Sequence, residues 1–106
     1  MNRRIYLAGP MSGLPDLNFP AFHAAAAQLR AVGWNVVNPA EINADPNAEW
    51  AACMRADIRE LVTCEAIALL PGWMNSRGAT LEHHIAHCLG MQIFMVADLI
   101  GEQVSV

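Results

Sequence analysis

Ala66-Ile67-Ala68-Leu69-Leu70-Pro71-Gly72-Trp73-Met74-Asn75-Ser76-Arg77-Gly78-Ala79-Thr80-Leu81-Glu82 is the stretch whose reading decides the fold. Its first five residues are continuously apolar, the pattern of a central strand covered on both faces. Residues 71–78 read as a loop, and a helix follows over 79–89 with Gly90 as its stop. The same order stands upstream. Ile5-Tyr6-Leu7-Ala8 is a β-favouring run closed by Gly9-Pro10, with Gly13 and Pro15 extending the turn. Pro20 suits the first turn of a helix over 21–32 that stops at Gly33 and buries Phe22, Ala25, Ala26 and Leu29.

Between these units, 34–37 is strand-like and ends at Asn38-Pro39, and the polar stretch 41–47 reads as loop. Residues 49–64 carry apolar side chains at Trp50, Cys53, Met54, Ile58, Leu61 and Val62, a helical repeat with Asp57 at its edge. Residues 92–96 form a fourth strand, whereas 97–106 fit a short helix, an edge strand or an oligomer contact equally. Strands alternating with helices predict a single α/β domain over 1–106. Its expected core is a doubly wound parallel sheet of four to five strands between two helical layers. Ligands of such sheets bind beyond the carboxyl ends of the strands, where strand order reverses. The loops 9–18, 38–47 and 71–78 should meet there.

Composition narrows the function. Six Lys/Arg against ten Asp/Glu give a net charge of −4, so no clustered basic face is available for duplex nucleic acid. The longest apolar stretches, 24–27 and 66–71, are far shorter than the ~20 residues of a membrane span. No secretory signal pattern precedes the first strand, and a cytoplasmic protein is expected. Hydrophobic residues reach 55% and charged ones only 15%, which predicts a homo-oligomer, dimer or tetramer, that buries apolar patches. Cys53, Cys64 and Cys88 have neither the number nor the spacing of a disulfide or zinc framework and read as small buried side chains.

Three places offer chemistry. Gly9-Pro10-Met11-Ser12-Gly13 is either a plain turn or a loop whose backbone amides face a ligand oxygen; it is no dinucleotide or phosphate-loop motif. Glu82 falls in the first turn of its helix after a glycine-containing loop. It should lie beside a buried stripe of Leu81, Ile85, Cys88 and Leu89, flanked by small Ala79 and Ala86. Asp57 on the preceding helix, or Glu65 just before the third strand, is placed to approach it as a second carboxylate, the pairing used in glycosidic chemistry; alternatively Asp57 sits on the helix surface and pairs with Arg59 or another arginine. His83 and His87 have the spacing of a helical metal pair but neither the His-Glu-x-x-His order nor a nearby third ligand, so no metal is expected. Trp50 and Trp73 read as core or interface anchors, with Trp73 also placed to wall a nucleobase pocket.

These segments, together with Met54-Arg55-Ala56-Asp57-Ile58, resemble the nucleoside 2-deoxyribosyltransferase superfamily over residues 4–96, closest to a small phage and prophage branch. The resemblance implies a flavodoxin-like, Rossmann-like sheet, an oligomer whose neighbouring subunit helps complete the site, and no cofactor. By it, Glu82 matches the nucleophile, Asp57 the aspartate that assists at the base, Tyr6 the first-strand aromatic, and Ser76 the polar residue six positions before the glutamate. Gly9, Pro10, Met11, Ser12, Gly13, Trp73, Arg77 and Gly78 would complete substrate binding. Where N-glycosidase relatives carry a phosphate-binding arginine, this chain has Ser12, with Arg77 nearby. The implied activity is cleavage or base exchange at the N-glycosidic bond of 2-deoxyribonucleosides or their 5′-monophosphates. The alternative is a non-catalytic nucleotide-binding sensor of the same fold.

Overall fold

The computed structural model describes residues 3–100 except 44 and 46. Strands β1 (Arg4–Ala8), β2 (Asn35–Val37), β3 (Ala66–Leu69) and β4 (Gln92–Met95) form one parallel sheet in the order β2-β1-β3-β4. Alternation along each strand divides two cores. Ile5, Leu7, Ala66 and Ala68 face α1 (Phe19–Ala31) and α5 (Val96–Ile100); Tyr6, Ala8, Ile67 and Leu69 face α3 (Trp50–Leu61) and α4 (Arg77–Cys88). The architecture is therefore α/β, doubly wound and flavodoxin-like, with four strands among the described residues. The open question over 97–106 resolves as the helix α5 up to Ile100, and the rest lies outside the described residues. No described helix is long and apolar enough to cross a membrane.

The stripe Phe22, Ala25, Ala26 and Leu29 is buried as its spacing predicts. Three expectations need correction. The polar loop after β2 opens with a helical turn, α2 (Pro39–Ile42), because Pro39 starts it and the Asn38 side chain accepts the Ala40 amide at 3.0 Å. On α4 the buried face is Ala79, Glu82 and Ala86, while Leu81, Cys88 and Leu89 are exposed and Ile85 is half-buried. Small side chains let this helix lie close to the sheet, and that turns its larger apolar residues outward. Of the cysteines only Cys64 is buried; Cys53 is intermediate and Cys88 exposed.

The chain reverses strand order between β1 and β3, and there the backbones run close. A Cβ on Gly9 would lie 2.8 Å from Leu70 Cβ, so the residue after β1 has to lack one.

Candidate active site

A cavity of about 590 Å³ opens beyond the carboxyl ends of β1 and β3. Gly9, Pro10, Met11 and Ser12 line it from the first loop, Asn43 and Asp45 from the second, and Ser76, Arg77 and Gly78 from the third. The three loops thus meet as the topology requires. Asp57 from α3 and Glu82 from α4 line the same space.

Glu82 is 4% exposed and Asp57 is 7% exposed. Neither joins an ion pair among the described residues. Tyr6, fully buried on β1, donates its hydroxyl to Glu82 Oε2 at 2.6 Å. Burial and the two neighbouring carboxyls push the Tyr6 phenol well up, so it remains a donor. Burial pushes Glu82 up to about 8, against the Tyr6 hydrogen bond, which pulls down, and with Asp57, which adds to the rise. Asp57 is raised to about 6 by burial, while hydrogen bonds from Asn43 and Tyr6 hold it back. Asn43, the residue after α2, donates from Nδ2 to Asp57 Oδ1 at 2.5 Å. Asp57 is therefore a cavity carboxyl held by an amide, not a surface partner of Arg59.

The third loop is set by its caps. Ser76 Oγ accepts the Ala79 amide at 3.2 Å, starting α4 two residues earlier than its sequence suggests and aiming Glu82 inward one turn later. The first loop is tied by Asn18, whose Nδ2 donates to Pro10 O at 2.9 Å. Asp16, Leu17 and Asn18 all take left-handed φ, 52°, 54° and 59°, a strained run for residues with side chains, and Leu17 touches the cavity.

Three expected binding residues stand off the cavity wall: Tyr6 meets it only through its bond to Glu82, and Trp73 and Gly13 stand elsewhere. Trp73 stacks on His83 with ring centroids 4.5 Å apart, and neither it nor Gly13 lines the cavity. Trp50 does, with the Arg77 guanidinium 3.7 Å above its ring. Sequence reasoning also passed over Asn43. Its signal was its place in the loop after β2, but a polar loop residue reads by default as solvated. Among the described residues no group of three His, Cys, Asp or Glu side chains is placed to hold a metal ion.

Fold and site together define a flavodoxin-like α/β domain with a carboxyl-lined crevice at its topological switch point. The chain belongs to the family described as a domain of unknown function, DUF4406, whose model matches residues 3–95. No curated protein matches the sequence.

Proposed function

We propose that the domain cleaves or exchanges the N-glycosidic bond of 2-deoxyribonucleosides or their 5′-monophosphates, with Glu82 as nucleophile. The observation that carries this reading is a pair of buried carboxyls, in no ion pair among the described residues, on the wall of a cavity within the usual size range for small-molecule sites. Burying such groups without a counter-charge costs stability, and carboxyls perturbed in this way concentrate at functional sites.

In the first step a Glu82 oxygen bonds to the anomeric carbon. The C–N bond breaks, its electron pair goes to the base nitrogen, and Asp57 protonates that nitrogen. In the second step water or another base attacks the same carbon, Glu82 leaves as carboxylate, and the Asp57 carboxylate takes the proton. Between about pH 6 and about pH 8 the pair shares one proton and titrates as a unit. Burial leaves that proton mainly on Glu82, and the reacting form is the minor one that carries it on Asp57. Tyr6 stabilises the Glu82 carboxylate that this form needs, and Asn43 holds Asp57 Oδ1. Trp50 supplies an apolar aromatic wall, and no cofactor is needed for either step.

The test is incubation with deoxynucleosides and their monophosphates, with and without a second free base, followed by chromatography of the products. Base release or exchange that falls by about 10³-fold or more in Glu82→Ala supports the reading. Tight binding without turnover in either protein overturns it in favour of a sensor.

A further inference from the structure

Past Arg77, the side of α4 turned to solvent is without charge. Residues 78–95 contain no Lys, Arg or Asp, and their one acidic residue is the buried Glu82. A surface helix ordinarily carries charged side chains on its solvent face. This one presents Leu81, His84, Cys88 and Leu89, all exposed. Exposed Ile93 lies alongside on β4, in register with Ile67 of the core that α4 covers. His84 and Cys88 stand one turn apart, with Cys88 Sγ 3.6 Å from His84 Nε2. Two ligands of a tetrahedral zinc, the sulfur at about 2.3 Å and the nitrogen at about 2.0–2.1 Å from the metal, are about 3.6 Å apart. The pair is thus already spaced as one edge of such a site. The other pair at helical spacing does not meet in this way, because His83 is stacked on Trp73.

One chain supplies only half of a coordination sphere, since among the described residues no third His, Cys, Asp or Glu joins the pair. A second copy related by a twofold axis brings the same two ligands again. Approach of two copies is opposed by their net charge of −4, and this uncharged face adds least to that repulsion. Two thiolates, two neutral imidazoles and Zn²⁺ sum to zero charge, so the centre can be buried between two apolar surfaces. We infer that His84 and Cys88 are half of a two-cysteine, two-histidine zinc site that joins two copies of this chain through α4. Each thiol gives up its proton to solvent as its sulfur bonds to the metal. Neither residue lines the crevice, and Glu82 lies on the buried side of the same helix, so this site is separate from the carboxyl pair.

The experiment titrates the full chain, stripped of metal and kept reduced by a phosphine, first with Co²⁺ as a spectroscopic probe and then with Zn²⁺. The expected result is the visible band of tetrahedral cobalt with a thiolate-to-cobalt charge-transfer band, saturating at one metal per two chains and lost as Zn²⁺ displaces Co²⁺. Sedimentation over a dilution series should show Zn²⁺ tightening self-association by at least about tenfold, reversed by a chelator. Cys88→Ser and His84→Ala, both at exposed positions, are expected to stay folded by circular dichroism and to lose the bands and the zinc effect. His87→Ala and Cys53→Ser should keep both. Saturation at one metal per chain with no change in mass overturns the shared site. Bands that survive in Cys88→Ser, or self-association that Zn²⁺ leaves unchanged, overturn it as well.

Discussion

The two ends of the sheet use the same kinds of side chain to opposite effect. At the amino ends of the strands every described acid has a basic neighbour: Arg3 meets Glu65 at 3.2 Å and also bonds Gln92, and Arg4 reaches Glu60 at 3.4 Å and Thr63 at 2.8 Å. These pairs are largely exposed. At the carboxyl ends Glu82 and Asp57 are buried and, among the described residues, have Tyr6 and Asn43 for partners and no cation. Exposed ion pairs contribute little and perturb little, whereas buried unpaired carboxyls reduce stability and gain altered proton affinity. The difference sets the buried carboxyls of the candidate site apart from the paired, solvent-facing acids at the other end.

The largest effect that would break this contrast lies in Asp57. Asp57→Asn keeps the Asn43 neighbour but cannot transfer a proton, and a fall in kcat of about 10²–10³ is expected, with the bell-shaped pH profile losing one limb. Unchanged turnover of substrates with poor leaving bases would remove Asp57 from the mechanism.

Stability should move the other way at Glu82. Folding raises the proton affinity of both Glu82 and Asp57. The stability linked to their protonated forms is therefore present below the ordinary carboxyl range and is lost as pH rises through about 6 for Asp57 and about 8 for Glu82. Glu82→Gln, which cannot ionise, is expected to be more stable than the parent by on the order of 4 kcal/mol at pH 8. The gap should close near pH 4. Thermal melts at the two pH values check the sign.

Tyr6→Phe sharpens the same comparison on a smaller scale. Losing the hydroxyl raises both carboxyls further, so the pH–rate bell should move upward and its maximum fall by about tenfold. At the opposite end, Arg3→Ala should lower stability by less than about 1 kcal/mol and leave kcat and KM unchanged, read by denaturant melts and the glycosidase assay.

Much of this was legible in the sequence because periodicity and topology are local and general. The apolar run 66–70, the helix punctuation at Pro20, Gly33 and Gly90, and the alternation of elements suffice to bring three loops together. Glu82 and Asp57 followed from their places relative to those loops. What escaped was rotational detail. The buried face of α4 follows not from its largest apolar residues but from the small ones that let Glu82 reach Tyr6, a contact spanning 76 residues of chain. Trp50 rather than Trp73 lines the cavity, and Trp73 stacks on His83. Asn43 became visible only once Asp57 stood beside it.

Gly9 carries a last consequence. A methyl at that position would push on Leu70 and wedge the ends of β1 and β3 apart, widening the crevice floor without altering any reactive group. The width of the crevice floor is thus set by how closely the residues following β1 and β3 pack, and one carbon atom at that hinge can change it while leaving the carboxyls untouched.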